Sequence, residues 1–308
     1  MGLMFPEKNS FIKRMAPFHV LTLFFLTGLI VLTFLFRQRV PGWGALILRY
    51  FVGLGLNGVV VLAFARWPGT RLIRWAHDFS PLFFILFIFD SLGYLIQYLQ
   101  PDIDPVLIRM DVWIFGAHPT IWLQRWITPR LTDLLSLAYA TYYFLAIVLI
   151  LVLYNREQKP GLYESIFVFV LGYYLSYIGY LLFPAIGPRF TMAELYTVPL
   201  DGGAITDFLR DTLNNLEHNK RDCMPSGHTE IALITLGLAF RHTRKLFYIY
   251  LPMVLGLILA TVYLRYHYVV DVLAGAFLAA ICLAIGPWLY QKTGSRLNAA
   301  CSDQETSN

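Results

Sequence analysis

Residues 17–36 read Pro-Phe-His-Val-Leu-Thr-Leu-Phe-Phe-Leu-Thr-Gly-Leu-Ile-Val-Leu-Thr-Phe-Leu-Phe, an uncharged run closed by Arg37 and Arg39. About 20 apolar residues, rising ~1.5 Å each in a helix, match the ~30 Å hydrocarbon layer of a bilayer. The stretch therefore predicts a spanning helix. No small-residue cleavage site follows it, so it reads as a retained first span and not as a secretory leader. Similar runs predict spans near 45–65, 81–99, 133–153, 163–183, 226–242, 246–264 and 268–290. The run at 226–242 has the shortest apolar part and starts with polar residues. No strand-like alternation competes, and lipid admits only helices or closed barrels. The expected fold is an all-α membrane bundle of about eight helices. It comprises two additional helices within 1–80, a six-helix core over 81–290, and a disordered polar tail over 291–308.

Composition points the same way. The 308-residue chain is 57% hydrophobic and only 14% charged, too little polar surface for a soluble domain of its size. The net charge of +5 is carried largely in short connectors between apolar runs. That placement suits anionic membrane lipids and argues against a nucleic-acid partner. Cys223, Cys282 and Cys301 are odd in number and widely spaced, so they outline neither a disulfide framework nor a cysteine-based metal site.

Counting spans from the N-terminus puts the connectors 66–80, 154–162 and 241–245 on one side, dense in Arg and Lys. The long connectors 100–132 and 184–225, rich in Asp, fall on the other. The positive-inside rule places the basic side in the cytoplasm and the acidic side outside, in a plasma or bacterial inner membrane. Both long connectors carry apolar residues at helical spacing: Val106, Leu107, Met110 and Ile114 in one, Ile205, Phe208, Leu209, Leu213 and Leu216 in the other. They predict helices lying on the outer membrane surface or packing against the bundle ends. Asp90 and Glu230, inside spans, are expected to face the bundle interior, because lipid exposure is costly.

Three places on the outer side carry candidate chemistry. Arg189 follows Pro184 and Pro188 at the end of the fifth span; it reads as a bidentate fork for phosphate or as a headgroup anchor. Pro225-Ser226-Gly227-His228 opens the sixth span, where the amides of Ser226, Gly227 and His228 would point at an anion. His228 there reads as a proton donor or as a capping residue. His267 and Asp271, four apart, share a helix face; they read as a nucleophile with its orienting carboxylate or as a buried, satisfied pair. Independent span counting brings Arg189, His228 and His267 to one side of the membrane, which a random scatter would not favour.

The wording of two of these stretches resembles the type 2 phosphatidic acid phosphatase superfamily. Pro-Ser-Gly-His at 225–228 and His-Tyr-Val-Val-Asp-Val-Leu-Ala-Gly at 267–275 are nearly its second and third motifs. The resemblance covers roughly residues 81–290. It implies that His267 attacks phosphorus, Asp271 orients it, His228 protonates the leaving oxygen, and Ser226 and Gly227 bind phosphate, with no cofactor or metal. Two departures stand out. Leu182 occupies the place of the family's first-motif Lys, and Ala260-Thr261 stand where Ser-Arg usually opens the third motif. Both look like the inositol phosphorylceramide synthase branch, as does the stretch Asp111 to Trp122. Other cations must then neutralise the phosphate, and Arg265 is the preferred candidate over Lys220 and Arg221. The expected substrate is a phosphorylated lipid and the expected reaction is hydrolysis of a phosphate monoester, with headgroup transfer as the alternative. A transporter is disfavoured because no paired, broken spans recur in the two halves. A metal site on His228, His267 and Asp271 is the third reading.

Overall fold

The computed structural model describes residues 15–156, 159–216 and 219–305, and among these every regular element is helical. The long helices are α1 (Pro17–Leu35), α2 (Trp43–Arg66), α3 (Arg71–Leu92), α4 (Asp104–Phe115), α5 (Pro129–Ala140) and α6 (Tyr142–Asn155). They are followed by α7 (Lys159–Leu182), α8 (Ala204–Leu216), α9 (Gly227–His242), α10 (Arg244–Tyr263) and α11 (Val269–Glu305). Short helical turns lie at Ile96–Leu99, Pro119–Trp122, Leu123–Trp126, Pro188–Thr191 and Ala193–Leu195. The basic pair Lys13-Arg14 that precedes the first span lies outside the described residues.

Seven helical stretches are long and apolar enough to cross a membrane, with α5 and α6 forming one of them. The eighth expected span, α9, has 16 residues, about 24 Å at ~1.5 Å per residue. It is short because lipid does not set its length: it packs against α6, α7, α10 and α11. Ile231, Ala232, Ile234, Leu238 and Ala239 are all buried. Beside it, α7 is buried along most of its faces, with Leu162 and Ile166 through Leu171 in the core. A helix apolar all round belongs in the centre of a bundle.

The additional helices α1 and α2 pack on α3, and α1 also packs on α7. Polar pairs fasten them inside the apolar layer, where a lost partner is expensive: His19 Nδ1 with Asn57 Oδ1 at 2.7 Å, and Thr22 Oγ1 with Tyr174 Oη at 2.9 Å. Glu230 is buried as expected and takes hydrogen bonds from Ser176 and Cys282. Asp90 does not face the interior. It is exposed near the end of α3 and pairs with Arg49 at 2.9 Å, an arrangement that meets the cost of its charge with a cation instead of burial.

The long connectors hold α4 and α8, which fall on the two stretches of helical apolar spacing. Trp113 on α4 is 85% exposed. The side chains of Leu213 and Leu216, expected on the apolar face of α8, lie outside the described residues. α11 runs on to Glu305. No proline follows Pro287, and Ala299 and Ala300 favour helix.

The span count makes a topological prediction. Cysteines placed at Ile205 and Arg244, in a background with Cys301 replaced by serine, should be labelled by an impermeant thiol reagent from opposite faces of the membrane. Position 205 is expected to react from outside intact cells, and labelling of position 244 from outside would invert the orientation.

Candidate active site

Two acidic residues of α4 draw the connectors of one bundle end together. Asp104 accepts hydrogen bonds from the amides of Ile186 at 3.0 Å and Gly187 at 2.8 Å, and from the Tyr268 hydroxyl at 2.9 Å. Asp111 accepts from the amides of Val269 at 3.0 Å and Val270 at 2.9 Å. These are first-turn amides of α11, which have no acceptor within their own helix. Burial pushes the Asp111 carboxyl above its ordinary range even though both amides pull it down. Gly187 has φ +90° and a Cβ there would lie 2.7 Å from the Tyr266 carbonyl oxygen, so the close approach of the two loops requires glycine. The acidity of this connector is visible in the sequence; that its carboxylates anchor other loops is not.

His267 sits in the turn so anchored, its own amide held by the Thr261 carbonyl at 3.0 Å. It is 3% exposed. Its Nδ1 lies 3.0 Å from Asp271 Oδ2 and 3.1 Å from the Cys223 carbonyl. Both neighbours only accept, so the partners assign the proton to Nδ1 and leave the lone pair on Nε2. Burial disfavours the imidazolium, but the hydrogen bond and charge of Asp271 more than offset it and leave the His267 pKa raised. Asp271 is fully buried and also receives the Cys223 thiol at 2.8 Å. Burial lifts the pKa of that thiol, keeping it protonated as a donor. Cys223 Sγ, His267 Nδ1 and a carboxylate oxygen of Asp271 lie within 4.8 Å of one another. Among the described residues this is the grouping that could hold a metal, and it differs from the expected set by having Cys223 where His228 was foreseen. Its distance in sequence, 44 residues before His267, hid the thiol.

His228 meets this pair across the site, with Nδ1 3.4 Å from His267 Nε2 and the rings at 62°. Its Nε2 is 2.8 Å from the Tyr139 hydroxyl. The Tyr139 ring stacks on His228 and on Tyr266, at 4.7 Å in each case, and Tyr142 lies 4.3 Å from His228. Neither tyrosine carries a sequence signal of its own; they stand at the α5–α6 junction and become neighbours of the histidines only in the folded bundle.

The Pro-Ser-Gly-His turn is placed differently from the expected anion cradle in one respect. The Ser226 amide donates to the Asp271 carbonyl at 3.0 Å, and its Oγ caps α9 by accepting from Thr229 N at 3.3 Å. The turn is folded onto α11, so Ser226 spends its donor there, while Gly227 and His228 hold the first amide positions of α9. A Cβ on Gly227 would strike the Tyr180 hydroxyl, and one on Gly275 would strike the Ser226 carbonyl oxygen. The two resembling motifs are thus in direct backbone contact.

Arg189 and Arg265 are brought together, beside the histidines and not on them. Both line a cavity of about 310 Å³ that also takes in Arg210, Asp201, Tyr196, Tyr139 and Tyr266, and neither histidine is among its lining residues. The Arg189 guanidinium lies 5.6 Å from the Tyr266 ring. Arg265, at φ +66°, donates to the Val198 carbonyl at 2.5 Å and lies 3.8 Å over Tyr196. Of the other two cations, Arg221 is held by Asp102 at 2.7 Å and Lys220 Nζ lies 5.4 Å from the centre of the Phe190 ring.

Comparison with known proteins bears on this end of the bundle. A family model described as "PAP2 superfamily" matches residues 105–285. A Dictyostelium discoideum protein named PA-phosphatase related-family protein is 28% identical over 176 residues, 50% of this chain. The chain spans 32% of that relative's length. No solved structure matches the chain.

The backbone contact at Gly275 yields a prediction. Gly275→Ala forces α11 away from the Ser226 turn and should cost about 1–3 kcal/mol, the usual penalty for overpacking. The loss should be read as a lower thermal midpoint in detergent. Gly294→Ala, where a Cβ meets nothing within 4 Å, should not lower the midpoint, since alanine is the better helix former.

Proposed function

Because the chain belongs to the PAP2 superfamily, we propose that it hydrolyses a phosphate monoester of a lipid through a phosphohistidine intermediate. The observation that carries this reading is the hydrogen-bonded line Asp271–His267–His228. A buried carboxylate orders one ring nitrogen and turns the other, with its lone pair, towards a second imidazole. That is the arrangement of an oriented nucleophile facing a proton donor. In-line attack needs His267 Nε2 about 3 Å from phosphorus, with the leaving oxygen within about 2.8 Å of His228. The two nitrogens must therefore separate from 3.4 Å to roughly 6 Å, so substrate enters by parting the rings. Arg189 and Arg265, lining the adjoining cavity, supply positive charge along one wall for the phosphate oxygens. The membrane setting and the name of the Dictyostelium relative support a lipid as the ester.

Transfer of a phosphoryl or headgroup to a lipid hydroxyl is the second reading. The deep burial of His267 favours it, since excluding water is what transfer requires. Both routes share the first half, and the acceptor in the second decides between them.

His267→Ala and His228→Ala should each abolish phosphate release from phosphatidic acid while leaving the protein folded. Near wild-type release by His267→Ala would remove the mechanism. Release in the absence of any alcohol should be seen with the wild type. Its absence, together with a new phospholipid when diacylglycerol or ceramide is added, would select transfer.

Attack requires His267 Nε2 unprotonated, so kcat/KM should rise with pH along a limb whose midpoint lies above the ordinary histidine value of about 6.5. Asp271→Asn removes the charge that holds the proton on. The limb should move to lower pH, with kcat reduced on the order of 10²- to 10⁴-fold as orientation is lost. An unmoved limb would mean that Asp271 does not set the His267 proton affinity.

A further inference from the structure

We propose that Tyr139 is a positioning residue for the reaction, setting His228 so that Nδ1 is the nitrogen that exchanges a proton with substrate. The proposal rests on the reading of His228 as proton donor. An imidazole can present either nitrogen to a partner and, when neutral, can carry its proton on either. Nothing on His228 itself chooses, and the structure supplies the choice from outside. The Tyr139 hydroxyl, buried at the last turn of α5, reaches Nε2 at 2.8 Å. Its ring is clamped between His228 and Tyr266, with interplanar angles of 29° and 17°. Thr132 Oγ1 at 3.1 Å from Tyr263 Oη ties α5 to α10.

With Tyr139 on Nε2, only Nδ1 faces His267. In the first half-reaction the bond from His267 Nε2 to phosphorus forms as the ester P–O bond breaks. The electron pair leaves with the alkoxide oxygen, which takes the Nδ1 proton. His228 becomes neutral and keeps its remaining proton on Nε2, where the Tyr139 oxygen accepts it. In the second half an incoming water or alcohol oxygen attacks phosphorus and gives its proton to Nδ1. The N–P electron pair returns to His267, and His228 is again an imidazolium. The phenol oxygen accepts from Nε2–H throughout, and no other reactant is needed.

The test separates proton delivery from structure by the leaving group. An alkoxide needs the proton to depart, whereas 4-nitrophenolate does not. Tyr139→Phe keeps the ring stack and removes only the hydroxyl. For the full-length protein in detergent, kcat/KM with dioctanoyl phosphatidic acid should fall about tenfold or more, the worth of one buried hydrogen bond. With 4-nitrophenyl phosphate it should stay within about twofold, which also shows that the variant is folded. His228→Ala should show the same selectivity, more strongly. If His228→Ala discriminates between the substrates and Tyr139→Phe does not, the positioning role is overturned while the general-acid reading stands. Equal loss of both activities in Tyr139→Phe assigns the tyrosine to packing and overturns it too. No discrimination in His228→Ala removes the general-acid reading and this proposal with it.

Discussion

The hydrogen bond between Asp271 and His267 is the interaction around which this end of the bundle is arranged. A carboxylate with no exposed surface is costly unless its oxygens are occupied. Asp271 Oδ2 takes both the imidazole and the Cys223 thiol. Its place in the first turn of α11 adds the positive end of the helix dipole, which favours an anion there. The contacts on Oδ2 form only if the turn 264–268, the 223–226 segment and the start of α11 are held in register, while Oδ1 lies buried without a hydrogen-bond partner.

That register is the work of Asp104 and Asp111, which stand on a different helix from the groups they serve. Asp111 takes the amides that begin α11, and Asp104 links the loop before Arg189 to Tyr268. Gly187 and Gly275 let backbone meet backbone where a side chain would intrude. The three connectors thereby behave as one piece, and the imidazoles stand on it at an angle. Away from this end, α9 is enclosed by its neighbours and needs no bilayer thickness of its own, which is why a helix of 16 residues serves as an element of the bundle.

Much of this was legible in the residues themselves. Uncharged runs long enough for a bilayer determine an all-α membrane bundle, because lipid leaves the backbone no other way to satisfy its polar groups. The i, i+4 spacing of His267 and Asp271 places them on one face wherever α11 begins, since helix periodicity is local. The proline-rich starts and the amphipathic spacing in the long connectors likewise announced α4, α8 and α9.

What the folded chain alone decided is which distant groups meet. The Cys223 thiol on Asp271, the Tyr139 hydroxyl on His228, and the turning of Arg265 towards Val198 and Tyr196 each join residues far apart in the chain. No local pattern encodes such a pairing. Asp90 could be read only as a charge inside a span until its distance from the helix end and the presence of Arg49 across α2 were known. Periodicity reports which face of a helix is apolar; the partner presented to a polar group depends on how the helices pack, and that is settled by the sum of contacts over the whole bundle.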